Sequence, residues 1–335
     1  LVASAVVNLL KWHRMIQAVS VHLAVTAGVM ILTGLILMQM IPYEYKGASL
    51  IQSMRLAEEQ ATKTEVKKFK PLSASDQARS RLGIIRERGI LRVGYNDNTM
   101  PYAFTNKKDE LVGLDVEILN ALANDLDLQI QYTLIEDISD EPQLLSEGSV
   151  DIIIGGKAMT PNRALHSAFS NKYSHHTAGF IVGDARRDEF SSMEKINAKK
   201  YLTLGVPVSV YYKNSIQKIL PQAKLVLIDD PVQYFSGEYK EVNAFVTSSE
   251  AGSAWTLLYP KYTAVVPKGL KLKAPIGFKL PKGQPDYLQY INTWLELKKE
   301  NGYLQNVYEY WILGKNPKQK EPRWSVIRDV LGWHL

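Results

Sequence analysis

Apolar and polar positions change rhythm sharply near residue 43. From Met15 to Tyr43 there is no Asp, Glu, Lys or Arg, and Val19 to Met40 is rich in Leu, Ile, Val, Ala and Gly. About 20 such residues cross a bilayer as one helix, so the pattern predicts a transmembrane helix over residues 15–43. Lys11, His13 and Arg14 precede it, while Glu44 and Lys46 follow with cancelling charges. The positive-inside rule then sets everything after Tyr43 outside the cytoplasmic membrane, on its periplasmic or extracellular side. A cleaved signal peptide has a shorter apolar core and a small-residue cleavage pattern. Ile41-Pro42-Tyr43-Glu44 offers no such pattern, so the helix reads as an anchor. Leu1 to Leu10 is nearly all apolar, and residues 1–14 read as the end of a preceding membrane or cytoplasmic segment.

Past the span, residues 44–81 read as a helical stalk or linker. Leu50 to Lys70 holds strong helix formers with mixed charge and neither Gly nor Pro, which predicts a solvated helix. Pro71 stops it, and Ser73-Ala74-Ser75-Asp76 offers the cap of a second short helix running to Arg88. From Ile90 the pattern alternates strands and helices. Ile90–Tyr95 reads as a strand, Leu111–Asp125 as a helix, Leu128–Tyr132 as a strand, Pro142–Glu147 as a helix and Val150–Ile154 as a buried strand. The rhythm restarts with a strand at Tyr201–Val206, a helix at Ser209–Leu220 and strands at Leu225–Ile228 and Ala244–Val246. Such alternation predicts an α/β domain with mainly parallel sheets. Two similar halves imply two lobes with a ligand cleft between them.

The net charge of +6 points toward nucleic acid only until it is located. Residues 1–81 carry 10 Lys+Arg against 5 Asp+Glu, and residues 315–335 carry 5 against 2. That leaves 25 basic against 27 acidic residues in between, so the folded centre is slightly acidic. A nucleic-acid partner would need a basic face on the domain, and none is expected. The chain has no cysteine and only six histidines, none in a metal-ligand spacing. No metal, no cofactor and no Ser-His-Asp constellation is expected, and the chain reads as a non-enzyme.

The motifs carry a resemblance. Leu91-Arg92-Val93-Gly94, Pro101-Tyr102-Ala103-Phe104 and Leu111-Val112-Gly113-Leu114-Asp115-Val116-Glu117 stand in order along the chain. Gly148-Ser149-Val150-Asp151-Ile152-Ile153-Ile154-Gly155-Gly156, Thr160-Pro161-Asn162-Arg163 and Phe169-Ser170-Asn171-Lys172-Tyr173 come next. Leu280-Pro281-Lys282-Gly283 and Asn301 to Trp311 close the series. Together these resemble the family 3 extracellular solute-binding proteins, the polar amino-acid type of periplasmic binding protein. The resemblance implies a two-lobed periplasmic-binding-protein clamshell (type II) over residues 82–314. Its first lobe would span about 82–178 and 275–314, and its second about 179–274.

By the same resemblance Arg163 would bind a ligand carboxylate, a role that a guanidinium just inside a helix suits physically through bidentate hydrogen bonds. Thr160, Tyr102 and Glu250 are lesser candidate contacts, and Asp115 is expected to support the first lobe. Three positions depart from the family pattern. Ala158 stands where a Ser or Thr often binds the carboxylate, and Ser209-Val210 replaces a Gly-Thr at a second-lobe helix start. Ser248 stands where an Asp holds the α-ammonium, with Glu250 as a substitute. A small carboxylate, amino acid or dicarboxylate, is the expected ligand. Captured for uptake, it implies a transporter membrane domain as partner. The placement behind membrane helices resembles cation:dicarboxylate symporters that carry a C-terminal domain of this family. A ligand-sensing receptor ectodomain is the alternative. Residues 315–335 place Trp324, Ile327, Val330 and Leu331 at three- and four-residue spacing, which predicts an amphipathic tail.

Overall fold

The computed structural model describes residues 12–40, 47–56, 69–97, 99–208 and 210–315, in two units that divide between Lys46 and Gly47. The expectations for residues 1–11, the end of the span at 41–43, residues 57–68, Ser209 and residues 316–335 lie outside these.

The first unit is a single helix, Trp12–Met40, whose stretch from Arg14 to Ile36 is long and apolar enough to cross a membrane. Ser20, Thr26 and Thr33 are its polar members toward the centre. Each hydroxyl donates to the carbonyl four residues back, at 2.7–2.8 Å. These three hydroxyls are satisfied within the helix, as an apolar surrounding requires.

The second unit is built on two sheets. The first orders its strands β4-β1-β5-β13-β6. Here β1 is Ile90–Tyr95, β4 Gln129–Leu134, β5 Ile152–Ile153, β6 Ala168–Phe169 and β13 Lys279–Leu280. β1 lies parallel to β4 and β5, whereas β13 runs antiparallel to β5 and β6. β2 (Phe104–Thr105) and β3 (Leu111–Val112) form a small hairpin ladder beside it. The second sheet orders β11-β7-β10-β8-β9, with β12 also on β7. Its members are β7 (Ser174–Gly183), β8 (Thr203–Pro207), β9 (Lys224–Ile228), β10 (Ala244–Ser248), β11 (Tyr262–Val265) and β12 (Lys273–Ile276). β8 is parallel to β9 and β10, and β7 is antiparallel to its partners. Both sheets are therefore mixed, not mainly parallel, because the strands that join them enter against the grain.

Those joining strands make the hinge. The chain leaves the first sheet after β6 and enters the second along β7; it returns from β12 to β13. The first four residues of β7 pair with all of β12, Ser174 with Ile276 through to Thr177 with Lys273. Two extended segments, hydrogen-bonded side by side, are thus the only crossings among the described residues.

Three local differences from the sequence pattern have physical causes. Leu111–Val112 is a strand and the helix starts at Leu114. Gly113 breaks the run at φ 137°, and a Cβ there would lie 2.2 Å from the Tyr102 carbonyl oxygen. The predicted helix to Arg88 is two helices, Ala74–Gln77 and Arg81–Arg88, with Ser73 and Ser80 each accepting from an amide three residues on. In the described part of the helix expected over residues 50–70, Gly47–Gln52 is helical and residues 53–56 are not. Ile51 is buried at 3% exposure, so this stretch packs instead of standing free.

Asp151, the acid of the glycine-rich motif, has a structural task. Fully buried, it accepts the Arg92 amide at 2.9 Å and pairs with Arg88 and, at 3.6 Å, with Arg81. Arg81 also donates to the carbonyls of Leu145 and Val150. The Arg81–Arg88 helix is thereby tied to β1 and β5. Asp151→Ala leaves two buried guanidiniums without their counter-charge, a loss of about 3–5 kcal/mol. A fall in thermal midpoint on the order of 10 °C is expected, read by circular dichroism; a midpoint within a degree of wild type contradicts the assignment.

Candidate functional site

In open α/β sheets a ligand crevice forms beyond the carboxyl ends of the parallel strands. Beyond β1, β4 and β5 lie Asn96, the Glu136–Glu141 loop and the Gly155–Thr160 turn. Gly155 and Gly156 have φ of 108° and 60°, left-handed values that glycine alone adopts readily. Their amides both donate to Asp115 Oδ2 at 2.8 Å, and Tyr173 Oη donates to Oδ1 at 2.6 Å. Burial pushes Asp115 up to about 6 in spite of these three donors. Asp115 supports the turn, as expected.

The turn delivers the next residues. Thr160 caps the short Pro161–Ala164 helix, its Oγ1 accepting the Arg163 amide at 3.2 Å. Arg163 Nη1 donates to the Ala158 carbonyl at 2.9 Å, fixing the half-buried guanidinium. Burial pushes Arg163 down, offset by Glu141 and Tyr212. Tyr102 is 2% exposed, follows β1, and packs on His176 with ring centroids 5.2 Å apart. Neither Tyr102 Oη nor His176 Nε2 has a hydrogen-bond partner among the described residues. Burial, then the charge of Arg163, pushes His176 down to about 3, so it is neutral.

The second sheet supplies Glu250, in the first turn of the Ser249–Leu258 helix. Its two carboxylate oxygens accept the Thr177 amide of β7 at 3.1 and 3.2 Å, joining the helix to the hinge. Burial pushes Glu250 up to about 7. Ser248 caps the same helix, its Oγ accepting the Ala251 amide at 3.1 Å. Burial, together with the Glu250 and Asp115 charges, raises Tyr102. Tyr308 is pushed up to about 12 by burial and by Glu250.

Arg163, Ala158, Thr160, Tyr102, Glu250 and Ser248 are thus all placed around the hinge and the crevice. Thr160 and Ser248 act as helix caps, and Ala158 contributes its carbonyl. Sequence reasoning missed His176, whose only signal was its place in the His175-His176 pair. It also missed a buried triad: Lys157 and Lys279 each donate to Glu141, at 2.6 Å. Lys157 donates to Asn96 too. Against the upward push of burial, the two ammonium groups hold Glu141 below its usual range. No group of acidic or histidine side chains able to hold a metal occurs among the described residues.

Two α/β lobes joined by paired strands, with Tyr102 and Glu250 buried near the joint, have the build of a hinged solute-binding protein. The chain belongs to the bacterial extracellular solute-binding proteins, family 3, whose model matches residues 91–314. It is 23% identical over 248 residues to a cyclohexadienyl dehydratase of Pseudomonas aeruginosa, covering 72% of this chain and 89% of that protein. It is 22% identical over 234 residues to the L-cystine-binding protein TcyJ of Escherichia coli K12, covering 69% and 85%. A solved structure of an ancestral amino acid-binding protein, a precursor of cyclohexadienyl dehydratase, is 26% identical with a TM-score of 0.60, covering 70% of this chain and 99% of that one. The fold is the type II periplasmic-binding-protein clamshell, and the domain is an extracellular solute-binding domain.

The raised Glu250 carries a pH signature. A group whose folded pKa lies above its unfolded value stabilises below the unfolded pKa, and that contribution is lost as pH rises through the folded one. For Glu250 the window runs from 4.5 to about 7. Wild type should therefore lose stability relative to Glu250→Gln across this window in urea unfolding. Parallel pH profiles for the two proteins would show that the carboxyl is not held protonated.

Proposed function

We propose that this protein is a membrane-anchored extracytoplasmic binding domain that captures a small carboxylate, an α-amino acid in the first instance, for transmembrane uptake. The observation that carries the reading is Arg163, half-buried just past the glycine turn, with its guanidinium held on the Ala158 carbonyl. A guanidinium in a partly desolvated cleft binds a carboxylate far more strongly than one at a surface. Glu250, on the other lobe, supplies the counter-charge for an ammonium group. Relatives named as arginine-, cystine-, histidine- and glutamine-binding proteins support the amino-acid class. The apolar Trp12–Met40 helix supports anchoring. The role is binding, without catalysis, and the transporter is a separate membrane component or a further part of the same protein. A dicarboxylate is the competing ligand, and the symporter-like placement the competing transport route.

Calorimetry of the detergent-solubilised chain against amino acids and dicarboxylates tests the class. Arg163→Ala should weaken the tightest compound by roughly 30- to several-thousand-fold; unchanged affinity refutes the anchor. A second readout separates the two ligand types. An ammonium beside Glu250 lowers its pKa from about 7, so an amino acid should release protons on binding near that pH. Heats measured in buffers of different ionisation enthalpy reveal the release, whereas a dicarboxylate causes none.

A further inference from the structure

The segment that follows the membrane helix after residues 41–46 lies across both lobes. Gly47–Gln52 packs on the Ser249–Leu258 helix of the second lobe. Ile51 is buried in the same apolar cluster as Trp255 and Leu257 from that lobe and Trp311 and Ile312 from the first. On the first-lobe side the segment is held by three hydrogen bonds to its backbone. The Lys107 amide donates to the Gln52 carbonyl at 3.0 Å. Asn106 Nδ2 donates to the Met54 carbonyl at 3.0 Å, and Tyr310 Oη donates to the Arg55 carbonyl at 2.8 Å. A cavity of about 100 Å³ remains where Leu50 and Met54 meet Ala254, Leu257, Pro101 and Trp311. Residues from three parts of the chain therefore meet at one junction.

The Ser249–Leu258 helix is the element through which this contact reaches the crevice. One side of it bears Ala254 and Leu257, toward the segment. Its first turn bears Glu250, on the hinge amide of Thr177. It cannot shift easily on its sheet, because a Cβ at Gly252 would lie 2.0 Å from Ile181 Cδ1 of β7. Moving the lobes apart must therefore strip the segment from one of them.

We propose that residues 47–55 are a latch, which favours the arrangement of the two lobes seen here and so sets how the protein divides between its lobe arrangements. A contact made with two bodies at once favours the arrangement in which both halves are satisfied. When the competent state is only fractionally populated, apparent affinity falls by that fraction. The latch is also the first described stretch after the apolar Trp12–Met40 helix, so a pull on that end of the chain acts on the lobe arrangement.

The chain has no cysteine, so spin labels can be placed without removing native thiols. Thr293→Cys in the first lobe and Lys218→Cys in the second are both exposed. Pulsed dipolar spectroscopy of the full chain in nanodiscs, without ligand, reads the separation of the lobes. One narrow distribution is expected for the parent. Ile51→Ala and Tyr310→Phe should each broaden it and move it off the parent separation, the first more than the second. Tyr310→Phe removes a single hydroxyl and keeps the core, so it decides the matter alone should Ile51→Ala lose its folded circular dichroism. Distributions identical to the parent in the folded variants overturn the latch. The measurement needs no ligand, so it stands or falls apart from the carboxylate reading.

Discussion

A single carboxylate organises the crevice. Asp115 takes the two glycine amides of the Gly155-Gly156 turn and the Tyr173 hydroxyl, and each partner leads to a different part of the machine. The amides fix the turn that carries Lys157, Ala158 and, three residues past Thr160, Arg163. Tyr173 stacks on Phe278 with centroids 4.5 Å apart, and these two aromatics stand just before β7 and just after β12. The Leu114–Asp125 helix, buried along its length from Leu114 to Ala123, supplies Asp115 from its own first turn. The turn that leads to Arg163 and both hinge strands are therefore referenced to one buried acid. Only glycine serves at the turn: a Cβ on Gly156 would lie 2.7 Å from the Tyr102 ring.

Burying so many charges is tolerable because each is compensated, and the compensation explains the shape of the site. Glu141 receives two lysines from separate strands' ends, so the loop beyond β4 is tied both to the turn beyond β5 and to β13. Breaking any one partner would strand the others in a low-dielectric interior, which is far costlier than never burying them. Asp151 does the same at the opposite end of β5, gathering Arg81, Arg88 and the Arg92 amide. The two ends of one short strand are thus pinned by ionic clusters, which lets a strand of only two residues hold the glycine turn in place.

How much of this could be read from the residues divides along chain distance. Local patterns were legible: the charge-free span, the strand at Ile90–Tyr95, the Gly-rich turn and Arg163 at the start of a helix all depend on neighbours within a few positions. Asp115 as a support followed from a resemblance of motif order. The Lys157–Glu141–Lys279 triad joins residues up to 138 apart, and no periodicity signals such a pairing. His176 was opaque because its character comes from burial against Tyr102, not from its neighbours in sequence. The stretch from Leu50 onward misled for a related reason. Its composition favours a solvated helix, yet tertiary packing of Ile51 and backbone bonds from Asn106, Lys107 and Tyr310 override that propensity. The mixed sheets likewise arise from the crossing strands, whose direction no local pattern encodes.

The departures from the family's amino-acid site acquire a physical meaning in this arrangement. Ala158 cannot offer a hydroxyl, but its carbonyl positions the guanidinium. The Ser248 hydroxyl is committed to capping, and the acid stands two residues on at Glu250, which burial pushes up to about 7. The Tyr102 hydroxyl and the neutral His176 imidazole nitrogen are both buried and both without partners among the described residues. Such groups are costly to leave unsatisfied, so a ligand that meets them gains more than one that meets Arg163 alone. On the proposed reading, in which Arg163 takes the carboxylate common to the whole class, selectivity comes from polar atoms of the ligand that meet the Tyr102 hydroxyl and the His176 imidazole.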